Sequence, residues 1–193
     1  MAQDPSDEEN RIPVTQTEHL PQGALSSASL RALILSDRPL IRDYRNLDSQ
    51  LQPNGFDLTL ESVAIHQGAG VVGQSNEDRV LPDLEPMPFD ARGWVDLQPG
   101  IYHITYNEVV TLPLNLMALG RPRSTLNRIG VTIHTAVWDA GYEGRSTSLL
   151  SVMNPHGVQL QRDARVMQLV FFGVSNPPEI GYSGVYQGEN IGR

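Results

Sequence analysis

The sequence contains neither cysteine nor lysine. Without cysteine it can supply no disulfide, no thiolate nucleophile and no cysteine-ligated zinc site of the kind found in zinc-dependent deaminases. All 14 cationic residues are arginine. A P-loop, whose motif requires lysine, and a Schiff-base mechanism are therefore excluded as well.

Long apolar runs and an excess of positive charge are also missing. No apolar stretch approaches the length of a membrane span, and the sequence does not open with a charged-then-apolar signal. We therefore expect a cytoplasmic protein without a membrane partner. The formal charge of -8 argues against nucleic acid as a partner, because nonspecific binding to DNA or RNA needs a basic face.

Composition divides the 193 residues into three predicted regions. Residues 1–28 are polar and acidic and are predicted to form a flexible extension. Residues 29–180 are predicted to form one β domain, in which residues 67–93 are interpreted as long loops rich in glycine, proline and acidic residues. Residues 181–193 are rich in glycine and contain Tyr186, so they are predicted to form an arm or lid.

Short apolar segments separated by turn residues dominate the chain from Trp94 onward. No long segment has helical periodicity, so the pattern favours an all-β sandwich or barrel. The predicted strands are WVDL, IYHITYNEVVTL, LMAL, GVTIHTAVW, TSLLSVM and VMQLVFFGV. Before them, ALILS at 32–36 is predicted as a strand. A short N-terminal helix is expected to follow it, capped at Ser36 and Asp37 and ending at Arg45.

The segment from Arg121 to Gly144 combines hydrogen-bond donors that suit a phosphate with an isolated carboxylate. Arg123 offers a fork of N–H donors, and Ser124 and Thr125 offer hydroxyl and backbone N–H groups, which suits a phosphate. The apolar run GVTIHTAV is predicted as one strand that leads Asp139 into a glycine-containing turn. There the carboxylate can hold or deprotonate a water molecule. The two features together indicate hydrolysis of a phosphoric anhydride.

Five segments in order resemble the dUTPase and dCTP deaminase superfamily, from about Ala32 to the C-terminus. The likeness is strongest to archaeal-type dUTPases with a deaminase-like sequence. One departure is Thr125, where most dUTPases carry glycine. The matching segments are QPNGFDLTL with Asp57, PRSTL, AVWDAGYEG, RDARVMQLVFF and VYQGENIGR.

The resemblance implies a role for each residue of a nucleotide site. From the residues alone other interpretations stay open: Arg123 could pair with a carboxylate at a subunit interface, Arg128 could be an ordinary surface arginine, and His134 could simply pack. The implied roles are catalysis by Asp139, phosphate contacts by Arg123, Ser124, Thr125, Arg128 and Gln168, sugar or base contacts by His134, Trp138 and Tyr142, and a contribution of the arm through Tyr186 and Gln187.

The resemblance also implies an architecture and a cofactor. It predicts a distorted β-barrel or jelly roll with a short N-terminal helix and a C-terminal arm. It predicts a homotrimer with active sites at the subunit interfaces. It further implies Mg2+ bound mainly through the phosphates of the substrate, dUTP, and the sequence shows no dedicated metal cluster.

Hydrolysis and deamination differ at one position of the family pattern. The deaminating members carry a glutamate on the strand that follows the glycine matched by Gly144. Here that strand, RSTSLLSVM, has no acid, and Leu149 falls at the position of the glutamate. Glu143 is interpreted as a solvated turn residue rather than a displaced deaminase acid. We therefore predict a dUTP diphosphatase; the alternatives are a dCTP deaminase, alone or bifunctional, and an inactive nucleotide-binding trimer.

Overall fold

The computed structural model describes residues 23–192, so most of the predicted 1–28 extension lies outside the described residues. The helices are α1 (Ser27–Ile34), α2 (Leu47–Gln50) and α3 (Ser124–Arg128), with one 3-10 turn at Asn76–Asp78. The strands are β1 (Ile41–Arg42), β2 (Leu51–Gln52), β3 (Gly55–Gln67), β4 (Asp83–Met87), β5 (Trp94–Leu97), β6 (Gly100–Tyr106), β7 (Val109–Thr111), β8 (Leu116–Pro122), β9 (Val131–His134), β10 (Val137–Trp138), β11 (Glu143–Gly144), β12 (Thr147–Val152), β13 (Val158–Gln161) and β14 (Arg165–Gly173).

The main sheet is antiparallel and curls back on itself. Its strand order is β10-β8-β14-β3-β6-β12-β9, and β2 and β4 also pair with β3. The two outermost strands, β9 and β10, are joined by only Thr135 and Ala136, so the edges of the sheet must lie close together. Two small sheets, β1-β7-β11 and β13-β5, complete the fold. The predicted distorted β-barrel is confirmed.

The core lies inside the curl of the main sheet. Along β6, Tyr102, Ile104 and Tyr106 are buried and alternate with more exposed residues, as expected when one face of a strand is covered. Leu150 on β12 and Leu169 on β14 are buried in the same cluster. Burial of aliphatic and aromatic side chains of this kind is the main stabilising contribution to such a domain.

The N-terminal part of the domain differs from the prediction. ALILS belongs mostly to α1 and is not a strand. Ser26 caps this helix, and Leu30 and Ile34, four residues apart, are both buried on one face. The predicted helix from Ser36 to Arg45 is wrong, because that stretch contains β1. The expected short N-terminal helix is therefore present, but earlier in the chain.

Two further segments are organised differently from the prediction. GVTIHTAV is not one strand: β9 pairs with β12, and β10 pairs with β8 at the opposite edge of the main sheet. Residues 67–93 are not all irregular, because β4 continues the sheet beside the end of β3. Among the described residues, no helix is long and apolar enough to cross a membrane.

Candidate active site

The turn between β10 and β11 carries the predicted catalytic residue. Asp139 follows Trp138, whose side chain is buried and whose indole N–H donates to the Ser146 hydroxyl at 3.0 Å. Gly141 adopts φ 85°, a conformation that favours glycine, and the Tyr142 N–H donates to the Asp139 carbonyl at 3.1 Å. The turn therefore exposes the Asp139 side chain while it buries the ring of Tyr142.

These side chains line a cavity of about 280 Å³. Its wall combines small residues, aromatic rings and two carboxylates, and none of the described residues that line it is cationic. The lining residues with aromatic or acidic side chains are Trp138, Asp139, Tyr142, Tyr182, Tyr186 and Glu189. Four of the predicted site residues, Trp138, Asp139, Tyr142 and Tyr186, thus come together.

The C-terminal arm closes this cavity in its own chain. The ring of Tyr182 meets the ring of Tyr142 edge-on, with 5.8 Å between centroids. The Tyr142 hydroxyl donates to the Glu189 carboxylate at 2.8 Å. Burial raises the pKa of Glu189 above its ordinary value, although the hydrogen bond from Tyr142 acts in the opposite direction. Burial, and then the nearby Glu189, also raises the pKa of the Tyr142 hydroxyl.

Gln187, the other predicted arm residue, fastens the arm to the turn. Its side-chain amide donates to the Gly141 carbonyl at 3.0 Å, and its side-chain oxygen accepts from the Glu143 N–H at 3.1 Å. The next backbone N–H, of Gly188, donates to the Glu143 carbonyl at 2.8 Å. The arm is a series of turns that packs along residues 141–145 through these hydrogen bonds.

The residues predicted to bind phosphate lie around a buried carboxylate on β3. Arg123 Nε lies 3.2 Å from Asp57 Oδ2, and Arg165 Nη1 lies 3.3 Å from the same oxygen. The Asp57 side chain is only 1% exposed, whereas the Arg123 side chain is 30% exposed. Burial raises the pKa of Asp57, and the two arginines counteract this with a smaller effect. Arg123 thus pairs with a carboxylate of its own chain, whereas the alternative interpretation of the sequence placed such a pair at a subunit interface.

The remaining predicted phosphate contacts surround this pair. Ser124, Thr125 and Arg128 lie on the exposed surface of α3, which begins directly after Arg123. Gln168 on β14 is half-buried and pairs in register with Asp57 on one side and with Arg121 on the other. The cluster therefore presents several N–H and hydroxyl donors at one end of β8.

One chain does not bring Asp139 next to these donors. Trp138 pairs with Ala118 on β8, and the antiparallel register takes Asp139 away from the Arg123 end. Arg123 lies five positions beyond Ala118, which at about 3.3 Å per residue corresponds to ~16 Å. Within the described chain, the Asp139 carboxylate and the residues predicted to bind phosphate therefore lie at two separate places.

The positions that bear on deamination lie on the outer face of the main sheet. On β12, Leu149 pairs with His103 on one side and His134 on the other, and no residue of this strand is acidic. His134 is exposed at the end of β9 and does not line the cavity. The predicted contact of His134 with sugar or base stays a prediction.

Three residues of the site were not predicted from sequence. Glu189 and Tyr182 enter the cavity from the arm, and Arg145 fixes the end of the arm. The Arg145 N–H donates to the Glu189 carbonyl at 2.9 Å, and the Asn190 side chain donates to the Arg145 carbonyl at 3.0 Å. The only sequence signal for Glu189 is that it is an acid among the aromatic and glycine residues of the arm; nothing in its spacing reveals a return to Tyr142.

A buried network behind Asp57 was also missed. Glu108 is fully buried and accepts hydrogen bonds from the N–H and the hydroxyl of Thr59 and from the side chain of Gln50. Burial raises its pKa, while these hydrogen bonds oppose the shift. The Gln50 amide also donates to the Asp57 carbonyl at 2.8 Å. The network thus fixes the strand that carries Asp57.

Comparison with known proteins places this geometry in a family. A family model described as dCTP deaminase-like matches residues 24–174. Proteins named probable deoxyuridine 5'-triphosphate nucleotidohydrolase from Methanosarcina mazei and Archaeoglobus fulgidus are 49% and 52% identical over 166 and 167 residues. Both alignments cover 86% of this chain and 97% of the relative.

A solved structure supports the same fold. The 2'-deoxycytidine 5'-triphosphate deaminase of Agrobacterium tumefaciens superposes with a TM-score of 0.57 at 24% identity. The superposition covers 77% of this chain but only 48% of that chain, and at this identity it supports the fold alone. Because the family model spans most of the chain and the archaeal relatives align over nearly their whole length, the protein belongs to the dCTP deaminase-like family.

Proposed function

We propose that the protein is a dUTP diphosphatase that hydrolyses dUTP to dUMP and pyrophosphate in the cytoplasm. The observation that carries this proposal is the exposed carboxylate of Asp139 in one cavity with the ring of Tyr142. Such a ring can pack under a sugar, and such a carboxylate can take a proton from water. The names of the archaeal relatives support the same reaction.

In the proposed reaction Asp139 orients a water molecule and accepts its proton. The water oxygen forms a bond to the α-phosphorus while the anhydride bond to the β-phosphate breaks, so that dUMP and pyrophosphate leave. We favour hydrolysis without deamination because β12 carries no acid, and cytosine deamination needs a carboxylate to move protons between water and the ring. The arm does bring Glu189 into the cavity, but Tyr142 engages its carboxylate.

We further propose a homotrimer whose sites are shared between subunits. The separation of ~16 Å between the Asp139 turn and Arg123 along one chain supports this arrangement, because a triphosphate must reach both. In a cyclic trimer, one subunit would supply the cavity and its neighbour the cationic cluster. The proposed phosphate-binding residues of that neighbour are Arg123, Ser124, Thr125, Arg128 and Gln168.

The donor set of the site fits Mg2+ bound through the substrate. Mg2+ prefers oxygen ligands and is commonly held by phosphates and water with few protein groups. Among residues 23–192, no three histidine, aspartate or glutamate side chains are grouped as metal ligands. We propose that triphosphate oxygens and water hold the ion, with no dedicated protein ligand. When bound, it would neutralise charge on the phosphates.

An assay of products tests this proposal. The purified protein is incubated with each deoxynucleoside triphosphate in the presence of Mg2+, and the products are separated. We expect dUMP and pyrophosphate from dUTP and no uracil nucleotide from dCTP. The dCTP reaction is the more informative part of the test, because Glu189 adds a second carboxylate to the cavity and deamination would need such a group. Uracil nucleotides from dCTP would support a deaminase, and binding of dUTP without turnover would support an inactive trimer.

A further inference from the structure

Residues 71–80, which we call the tip loop, have no role in the proposed reaction so far. The loop is closed by Val71 and Val80, whose backbones exchange hydrogen bonds of 2.8 and 3.0 Å. At its end, the Ser75 hydroxyl accepts from the Glu77 N–H, and the Asp78 carboxylate accepts from the Ser75 N–H at 3.1 Å. These contacts give the loop a defined shape although most of its residues are exposed.

The tip loop reaches the arm through Arg79. Arg79 follows the 3-10 turn, is half-buried, and donates to the Asn76 side chain at 2.5 Å. Its guanidinium carbon lies 5.6 Å from the centroid of the Tyr186 ring. This is within the range of about 6 Å in which a cation is attracted to an aromatic face. Tyr186 in turn lines the cavity that contains Asp139.

The arm is therefore contacted by two separate parts of the chain. Gln187, Gly188 and Glu189 bond to residues 141–145 and to Tyr142. The ring of Tyr186 is contacted by a residue far away in the sequence, Arg79. An arm with only the first set of contacts would retain more freedom to lift away from the cavity.

We propose that Arg79 is a positioning residue that holds Tyr186, and with it the arm, over the Asp139 cavity. The tip loop then acts as an outer clamp on the arm and favours the closed cavity before nucleotide binds. The consequence for turnover rests on the proposed dUTP hydrolysis, whereas the clamp itself does not. A weaker clamp would reduce the fraction of chains whose cavity is closed and so reduce the apparent affinity for nucleotide.

Amide hydrogen exchange of the full chain without nucleotide tests the clamp directly. In Arg79→Ala we expect the amides of Gly188 and Arg145, which bond between arm and turn, to exchange about two- to fivefold faster. Arg79→Lys keeps a cation and should retain most of the protection. Arg92→Ala is the matched control, since Arg92 is an exposed arginine of the same 67–93 stretch. Unchanged arm exchange in Arg79→Ala would overturn the proposal.

A double-mutant cycle separates the clamp from a general loosening of the loop. Tyr186→Leu removes the aromatic face, so Arg79→Ala should have no further effect on arm exchange in that background, whereas it should keep its effect beside Tyr186→Phe. An equal effect of Arg79→Ala with and without the ring would contradict the clamp. With dUTP as substrate, Arg79→Ala should raise KM about two- to fivefold and leave kcat nearly unchanged. Because exchange is measured without nucleotide, the clamp can be disproved even if dUTP is not hydrolysed.

Discussion

One end of β8, the cavity end, lies beside a cavity that has no cation among its described lining residues, and the other end, the phosphate end, leads into a cluster of arginines. At Ala118 the strand pairs with β10, which delivers Asp139 to the cavity. Directly after its last residue comes Arg123, which pairs with the carboxylate of Asp57 on β3. A nucleoside triphosphate needs an aromatic surface for its sugar and cations for its phosphates. The two environments lie at different ends of one strand, and this difference is the reason for the proposed shared site, in which one subunit supplies the cavity and its neighbour the cations.

The two regions also differ in how they are held. Asp57, which fixes Arg123, lies on β3, a strand paired on both sides within the main sheet, and Glu108 and Gln50 support it from behind. The cavity depends instead on side-chain and backbone contacts of the arm. The phosphate end is therefore fixed by the sheet, whereas the cavity end depends on how firmly the arm is held.

The largest expected effect comes from removing the base at the cavity end. Asp139→Asn keeps the shape and one hydrogen-bonding oxygen but removes basicity, so we expect kcat to fall by ~10²–10⁴-fold. The phosphate end is unchanged, so the dissociation constant of a nonhydrolysable dUTP analogue should change by no more than about tenfold, or ~1.4 kcal/mol. Steady-state kinetics and titration calorimetry measure the two quantities.

Glu143→Gln is the matched control for this substitution. Glu143 follows the Asp139 turn and is the first residue of β11, so it is not the turn residue that the sequence predicted; its carboxylate pairs with Arg42 and does not line the cavity. We expect its kcat to remain within about twofold of the wild type, as is usual for an exposed ion pair outside the site. Near-normal turnover of Asp139→Asn would place the base elsewhere and remove the proposed role of this turn.

The next prediction tests whether the two ends act together across subunits. Asp139→Asn and Arg123→Ala should each be nearly inactive, but trimers assembled from both should recover activity. In a cyclic trimer every mixed assembly has one intact site, so an equimolar random mixture should regain about a quarter of the wild-type specific activity. Mixing by refolding or coexpression, followed by the dUTP assay, measures the recovery.

A double variant with both substitutions gives the control for mixing. Combined with Asp139→Asn it contains no intact cavity end, so it should recover nothing. If each chain held a complete site, Asp139→Asn and Arg123→Ala would also recover nothing on mixing, and the shared site would be disproved.

Much of the sheet could be predicted because its strands carry local signals. WVDL corresponds to β5, and TSLLSVM contains β12, since alternation and turn residues bound both segments. The turn after Trp138 was also predictable, because Gly141 marks the φ 85° position that the turn needs. Alternation of apolar residues and the preference of glycine for positive φ are local properties, so they can be read from the sequence without knowledge of tertiary contacts.

The misses concern tertiary structure. So short an apolar run as ALILS fits a strand or a helix equally well, and only burial of Leu30 and Ile34 on one face decides for α1. GVTIHTAV looks continuous, yet closure of the sheet divides it between two edges. The roles of Glu189 and Arg79 depend on contacts with residues distant in sequence, which no local pattern encodes.

The smallest expected effect is a pH dependence at the cavity end that the phosphate end should not share. Burial of Glu189 in the docked arm raises its pKa above the ordinary value of 4.5, although the hydrogen bond from Tyr142 opposes the shift. The docked state therefore binds a proton more tightly than the undocked state, so docking is strongest below the ordinary pKa and weakens as pH rises through the raised value. Because Glu189 is partly exposed, we expect protection of the Gly188 amide, corrected for intrinsic exchange, to fall by less than about tenfold across that interval.

Glu189→Gln shows whether the carboxyl group causes this change. The amide keeps an oxygen that can accept from Tyr142 but does not titrate, so the protection of Gly188 should become independent of pH over the same interval. Residues beside Asp57, on a strand fixed by the sheet, should exchange identically in both proteins. If protection rises with pH in the wild type, or if Glu189→Gln keeps the slope, a group other than Glu189 controls the docking of the arm.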